Sequence, residues 1–87
     1  MNVFYAKGFR RMYEKRELKI REQFKVRRDI FLARPYDPIL HNHALVGDYA
    51  GCRSINITGD YRAIFTIEND ETVIFLAIGN HHELFGT

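Results

Sequence analysis

The first third of the chain carries apolar residues at helical spacing. Within residues 6–15, Ala6, Phe9 and Tyr13 recur at i, i+3 and i+7, which places them on one helix face. A second stripe with steps of three or four residues runs through residues 18–33 and comprises Ile20, Phe24, Arg27 and Phe31. The pattern predicts two helices over these ranges. Because the link between them is short, we expect them to pack antiparallel.

The second half of the chain alternates between short apolar runs and turn residues. Three runs predict strands over residues 52–57, 61–68 and 72–79. Gly59 marks a hairpin turn between the first two strands, and residues 69–71 form the next turn. The third run is apolar on both of its alternating faces, which is typical of a central strand covered on both sides.

Two shorter segments complete the predicted fold. Residues 2–5 form a short edge strand, and the two prolines in residues 34–43 predict a loop. The sequence therefore predicts a single α+β domain over residues 1–87, with a short N-terminal strand, a helical hairpin and an antiparallel β-meander packed on the helices. The residues expected in its core are Phe9, Tyr13, Phe24, Phe31, Leu45, Ile55, Phe65, Ile74 and Leu76.

The charge is divided unevenly along the chain. Residues 1–34 contain eleven Lys and Arg against four acids, a balance of +7, whereas residues 35–87 contain two Arg against seven acids, a balance of −5. A basic helical half suits an anionic partner such as nucleic acid or an acidic protein segment. A solvated basic helix face explains the same composition equally well.

The remaining composition points to the cytoplasm. The single cysteine, Cys52, excludes an internal disulfide and fits a reducing compartment. The N-terminus has no apolar run typical of a secretory signal. The longest apolar run, residues 73–78, is too short to span a membrane.

Polar residues suited to chemistry lie at predicted strand ends and turns: His43, Arg53, Asp60, Arg62 and His81. A rigid sheet that brings such side chains together is a plausible scaffold for a site. Simpler interpretations remain, because Arg62 could pair with Asp60 or Glu68 on the sheet surface. The four histidines have no cysteine or acid at the usual ligand spacing, so we predict no metal site.

Four short motifs carry a resemblance to a known family. They are H-x-L-x-G at residues 43–47, G-x-R-S-I at 51–55, G-D-Y-R at 59–62 and I-G-x-H-x-E-L-F at 78–85. In this order and spacing they resemble the RelE/ParE superfamily of bacterial type II toxins, and most closely its YafQ/RelE-like mRNA interferase branch. The resemblance covers essentially the whole chain.

The resemblance implies an endoribonuclease that cuts messenger RNA in the ribosomal A site. Such toxins need no metal or other cofactor, because the 2′-hydroxyl of the substrate attacks the adjacent phosphate and leaves a 2′,3′-cyclic phosphate and a 5′-hydroxyl. It also implies a cognate antitoxin that wraps and blocks the toxin. A dimer of toxin–antitoxin units is one arrangement that it allows.

The same resemblance assigns roles to individual residues. The catalytic positions of the family fall on His81, Arg62, His43 and Asp60. The positions expected to contact RNA fall on Arg53, Asn56, Tyr61 and Phe85. Parity within the strand directs Arg53 toward the core side, and Phe85 could equally close the end of the sheet as a core residue.

Asn56 departs from the family pattern, since the YafQ-like branch has a further histidine at this position. An asparagine side chain takes up no proton at neutral pH. Two alternatives therefore stay open. One is a ParE-like toxin, which shares the fold but acts on DNA gyrase, and the other is a catalytically weakened member that only binds its antitoxin.

Overall fold

A computed structural model describes residues 1–86 as one five-stranded mixed sheet with helices on both faces. The elements are β1 (Asn2–Tyr5), α1 (Lys7–Glu14), α2 (Leu18–Ala33), β2 (His43–Ala44), β3 (Arg53–Thr58), β4 (Tyr61–Glu68), β5 (Thr72–Asn80) and α3 (His81–Phe85). The strand order is β1-β5-β4-β3-β2, with β1 parallel to β5 and the other neighbours antiparallel. The predicted α+β architecture is confirmed, and residue 87 of the predicted domain lies outside the described residues.

Most predicted elements match the structure to within one residue. The edge strand β1, the helical hairpin and the three strands of the meander are confirmed. Four elements were not predicted: the two-residue strand β2, the five-residue helix α3 and two single-turn 3₁₀ helices at Pro38–Leu40 and Gly47–Tyr49. No helix within residues 1–86 is long and apolar enough to cross a membrane.

The main core lies between the sheet and the helical hairpin. Phe24 of α2 is 1% exposed, and its ring centroid lies 5.1 Å from those of both Phe9 and Phe75. Phe31 is fully buried two helical turns further along the same face, with its ring centroid 4.8 Å from that of Phe65. The apolar stripes of both helices therefore pack on β4 and β5 as their spacing predicts.

A second, smaller cluster covers the other face of the sheet. It contains Ile64, Ala77 and Leu84, and Leu45 packs against it. Met12 of α1 packs against both clusters, which lie on opposite faces of the sheet. The helix α1 therefore lies along the sheet edge, where it follows directly after β1. The prediction that β5 is central is confirmed, because β5 lies between β1 and β4 and has buried residues on both faces.

A β-bulge shifts the side-chain alternation of β5. Phe65 pairs with Phe75 but Ile64 pairs with Ala77, which leaves Leu76 without a cross-strand partner. The predicted core residues Tyr13 and Leu45 are half-buried and pack against the main and the second cluster respectively. Leu76 and Ile74 are also half-buried. Their prediction as core residues is wrong because strict alternation does not hold across the bulge.

Arg27 joins the helical hairpin to the loop that precedes β2. Its position on the apolar stripe lets the side chain cross the core edge, and its Nη1 donates a hydrogen bond of 2.9 Å to the carbonyl of Ile39. Leu40, beside this contact, is fully buried in the main core. The backbone just before β2 is therefore held in a fixed position, and His41 and His43 lie directly after the anchored residue Leu40.

We expect Phe24→Ala to lower the free energy of unfolding by about 3–5 kcal/mol, because it removes a buried ring from the centre of the aromatic cluster. Val26→Ala is the matched control on the same helix, since Val26 is 51% exposed, and its effect is expected within about 0.5 kcal/mol. Urea denaturation of both variants measures the difference. Equal effects of the two substitutions would contradict the packing described for α2.

Candidate active site

An open cleft of about 350 Å³ lies at the end of the sheet where β4 begins and β5 ends. It is lined by three imidazoles, one guanidinium and three apolar side chains: His41, His43, His81, Arg62, Leu45, Val46 and Phe85. Four of the predicted site residues, His43, Arg62, His81 and Phe85, are thus brought together. They come from three separate elements, which only the folded sheet assembles.

His43 is held by a tight local structure ahead of β2. Residues 38–40 form one helical turn capped by Asp37, whose carboxylate accepts a hydrogen bond from the amide of Ile39. His41 then adopts a left-handed conformation with φ of 47°, which turns the chain into β2. The carbonyl oxygen of His41 lies 2.8 Å from Nδ1 of His43.

This contact defines the tautomer of His43. A carbonyl oxygen only accepts hydrogen bonds, so Nδ1 of His43 must carry the proton. In the neutral ring, Nε2 of His43 is then the unprotonated nitrogen. An imidazole held in this tautomer is ready to accept a proton at Nε2.

His41 is a residue of the cleft that the sequence analysis missed. Its ring packs edge-on against that of His43, with centroids 5.1 Å apart. The sequence carries no clear signal for it, because a spacing of i, i+2 places two side chains on one face only in an extended segment, and the backbone of His41 is left-handed. Leu45 and Val46 were also missed as lining residues, and Val46 is 87% exposed.

Arg62 occupies the centre of the sheet end. In the register of the sheet it lies between Asn56 of β3 and Gly79 of β5. Its Nη1 atom is buried without a hydrogen-bond partner among residues 1–86. No ion pair joins it to Asp60 or Glu68 within the described part of the chain, so the surface pairing considered from the sequence is not formed. A buried donor of this kind favours an anionic ligand.

His81 and Phe85 are presented by α3. They lie one helical turn apart with ring centroids 4.8 Å from each other, and Phe85 also packs edge-on against Tyr49. Asn80 caps this helix, which begins at His81. The neighbouring His82 is exposed and does not line the cleft.

The other predicted residues lie outside the cleft. Asp60 is exposed in the hairpin turn before β4, and Tyr61 packs against the main core on the helical side. Arg53 follows the parity predicted for it: its Nε donates to Asn42 Oδ1 at 2.8 Å, and its guanidinium lies 5.6 Å from the ring centre of Tyr36. The catalytic role of Asp60 and the RNA contacts of Tyr61 and Arg53 stay predictions.

Asn56 is the strand neighbour of Arg62 but does not line the cleft. Its Oδ1 is buried without a hydrogen-bond partner among residues 1–86. Within the same residues, no group of three or more His, Cys, Asp or Glu side chains is placed to hold a metal ion. The chemical groups of the cleft are therefore imidazoles, a guanidinium and an aromatic ring.

Solved structures with the same fold are small bacterial toxins. YafQ from Escherichia coli strain BL21(DE3) is 16% identical, with 98% of each chain covered and a TM-score of 0.80. YafQ in the E. coli DinJ-YafQ complex is 17% identical over 98% of each chain, with a TM-score of 0.78. A YoeB/ParE toxin from Agrobacterium tumefaciens is 18% identical, covering 93% of this chain and 99% of its own, with a TM-score of 0.77. The architecture is thus the RelE-like toxin fold.

The family follows from the sequence itself. A family model described as "Bacterial toxin of type II toxin-antitoxin system, YafQ" matches residues 1–86. The chain therefore belongs to the YafQ family of type II toxins. A comparison with curated protein sequences finds no significant match.

The left-handed conformation of His41 gives a stability prediction for the cleft. We expect His41→Val to lower the free energy of unfolding by about 1–3 kcal/mol, because a β-branched residue is strained at positive φ. His41→Gly should stay within about 1 kcal/mol of the parent protein, because glycine adopts this conformation freely. Urea denaturation measures both, with Ala44→Val in β2 as the control for adding a valine nearby. If His41→Val proved as stable as His41→Gly, the described turn would be incorrect.

Proposed function

We propose that this protein is a ribosome-dependent mRNA endoribonuclease that works in the cytoplasm without a metal ion. The observation that carries the proposal is the cleft in which Arg62 and the three imidazoles converge. Cleavage of RNA through its own 2′-hydroxyl needs a base for that hydroxyl, an acid for the leaving 5′-oxygen and a cation for the phosphate. The cleft offers one candidate for each of these requirements.

Arg62 is the candidate for binding the scissile phosphate. A guanidinium donates two parallel hydrogen bonds that match the geometry of phosphate oxygens. The unsatisfied Nη1 of Arg62 supports this role, because a phosphate oxygen would supply the partner that Nη1 lacks among residues 1–86. As the attack proceeds, negative charge grows on the phosphorane oxygens, and a fixed cation stabilises that state more than the substrate.

His43 and His81 are the candidates for proton transfer. The tautomer imposed on His43 leaves Nε2 free of a proton, which suits the base that takes the proton of the 2′-hydroxyl. His81 then serves as the acid that protonates the 5′-oxygen as its bond to phosphorus breaks. The products would carry a 2′,3′-cyclic phosphate and a 5′-hydroxyl, and no water molecule is consumed in this step.

The remaining predicted residues fit a role around the scissile bond. Phe85 lies beside His81 at the cleft wall, where a splayed base can stack on its ring. Tyr61 and Arg53 lie outside the cleft, so their contacts would fall on flanking nucleotides rather than on the reacting phosphate. Asp60, which the resemblance assigns to catalysis, also lies outside the cleft, and we therefore give proton transfer to His43 and His81. Asn56 can donate and accept hydrogen bonds beside Arg62 but transfers no proton at neutral pH.

Asn56 is also the observation that favours a second candidate, a weakened enzyme whose main activity is antitoxin binding. Its buried side-chain oxygen, Oδ1, has no partner among residues 1–86, and Asn56 is the strand neighbour of Arg62 at the proposed phosphate site. If proton transfer required an imidazole at this position, the cleft would bind RNA but cleave it slowly. A ParE-like action on DNA gyrase uses the same fold without these imidazoles, and the cleft composition therefore argues against it.

The partner expected for this toxin is a cognate antitoxin. The related E. coli YafQ was crystallised together with DinJ, and we propose an equivalent complex here. An antitoxin segment would find apolar contacts at exposed residues such as Phe4, Ile39 and Val46. It would find charged contacts on the basic helices. Two toxin–antitoxin units joined as a dimer are consistent with this arrangement.

We expect Arg62→Ala and His81→Ala each to abolish growth arrest on induction in cells while leaving antitoxin binding intact. Removing a preorganised donor costs about 10²–10³ in rate, and removing a general acid costs about 10²–10⁴. Arg62→Lys should also be slower, because a point charge replaces the guanidinium fork. Mapping of messenger RNA ends after induction measures cleavage directly.

Two matched controls separate catalysis from a general loss of charge. His82→Ala removes the adjacent exposed histidine, and Arg34→Ala removes an exposed arginine that pairs with Asp37 away from the cleft. Both controls should remain toxic. Full toxicity of the Arg62→Ala, His81→Ala double variant would reject the ribonuclease, and DNA breaks with intact messenger RNA would favour the gyrase-directed alternative.

A further inference from the structure

The helix that presents His81 is too short to be stable on its own. α3 contains five residues, whereas isolated helices shorter than about 12 residues are marginal in water. The orientation of His81 therefore depends on contacts that hold α3 against the rest of the protein. Leu84 and Phe85 supply apolar contacts in the second core cluster, but both lie at the C-terminal end of α3 and do not by themselves fix its first turn.

The first turn is held by a reciprocal capping arrangement. The side chain of Asn80 accepts a hydrogen bond of 2.8 Å from the amide of Glu83, and the amide of Asn80 donates one of 2.9 Å to Glu83 Oε1. His81 lies between these two residues in the sequence. Any movement of Glu83 is thus transmitted to the backbone that carries His81.

Arg16, 67 residues earlier in the chain, fixes Glu83 from outside the helix. Its Nη1 donates to Glu83 Oε1 at 2.6 Å, and its Nε donates to the carbonyl of Met12 at 3.0 Å. The guanidinium also lies 5.9 Å from the ring centre of Tyr61. With 11% of its side chain exposed, Arg16 has three partners that restrict it to one position.

The charges of this pair persist through the physiological pH range. The hydrogen bond from Arg16 holds the pKa of Glu83 below its ordinary value, and the amide of Asn80 adds to the effect. The same hydrogen bond raises the pKa of Arg16. Since the pKa of Glu83 is lowered on folding, the stabilising interaction is complete at neutral pH and is lost only as the pH falls through the acidic range where Glu83 takes up a proton.

Gly79 makes this arrangement sterically possible. A Cβ atom at position 79 would lie 3.3 Å from both Cβ and Oε1 of Glu83 and 3.5 Å from Cδ2 of Leu84. The absence of a side chain at Gly79 therefore lets α3 fold back closely over the end of β5. The same position in the sheet lies opposite Arg62.

We propose that Arg16 is a positioning residue that holds His81 in its catalytic orientation through Glu83 and the first turn of α3. The inference rests on the proposed ribonuclease function. Arg16 does not line the cleft and so acts on the reaction only through α3. Misplacing a catalytic group by about 1 Å can cost on the order of 10²-fold in rate, so Arg16→Met should slow cleavage roughly 10- to 100-fold.

The test compares Arg16→Met with Arg11→Met, which removes the same charge from an exposed position of α1. Cleavage of ribosome-bound messenger RNA under single-turnover conditions gives the maximal rate and the apparent affinity separately. We expect Arg16→Met to lower the maximal rate with little change in affinity, and Arg11→Met to leave the rate unchanged. Arg16→Lys should recover part of the loss, because lysine restores the charge but cannot donate to Glu83 and Met12 as a fork.

Hydrogen exchange of the α3 amides provides a readout that does not depend on RNA cleavage. Arg16→Met should reduce protection of α3 while the central amides of β4 and β5 keep theirs. Glu83→Gln, which retains the capping geometry but removes the charge, should show a smaller loss. Adding Arg16→Met to Glu83→Gln should cost less than the sum of the two, since both remove one interaction.

Two results would overturn the proposal. One is equal cleavage by Arg16→Met and Arg11→Met, and the other is a loss that follows global unfolding, with α3 and the central strands losing protection together. Failure of the parent protein to cleave ribosome-bound messenger RNA would instead reject the proposed function. In that case unchanged α3 protection in Arg16→Met would still show that the positioning contact is not formed.

Discussion

The register of β4 against β5 is the constraint on which the candidate site depends. It sets Arg62 opposite Gly79 and Tyr61 opposite Asn80, so β5 ends beside the arginine and His81 follows at once. Adjacent strands are about 4.7–4.9 Å apart, and this spacing keeps the guanidinium and the imidazole at one end of the sheet. The bulge at Leu76 belongs to the same register, because it lets both Phe75 and Ile78 reach the helical core.

The two faces of the sheet contribute differently to function. The helical face supplies stability through large aromatic side chains such as Phe24 and Phe31, which make no contact with the cleft. The opposite face carries a smaller cluster and the cleft itself. Arg16 and Arg27 connect the two parts, because they reach from the helical hairpin to α3 and to the loop before β2 respectively. Both segments that carry the histidines are therefore anchored to the stable half of the molecule.

Helical periodicity predicted the hairpin, and short apolar runs bounded by turn residues predicted the edge strand and the meander. Strict alternation misplaced Ile74 and Leu76, since a bulge leaves no mark in the pattern. Helix α3 was missed although Asn80 and Glu83 carry a capping signal, because five residues are too few for helical periodicity to register. The cleft around Arg62 followed from the resemblance, whereas His41 depended on a backbone turn at positive φ, which the sequence does not reveal.

The central claim is that the 2′-hydroxyl of the message is the nucleophile and that this cleft activates it. The most direct measurement uses purified protein and ribosomes loaded with one messenger RNA, after mapping where the all-ribose message is cut. A second message carries a single 2′-deoxynucleotide at that position. The account predicts a 2′,3′-cyclic phosphate end on the first message and no cut at that position in the second. Equal cleavage of both messages would contradict it.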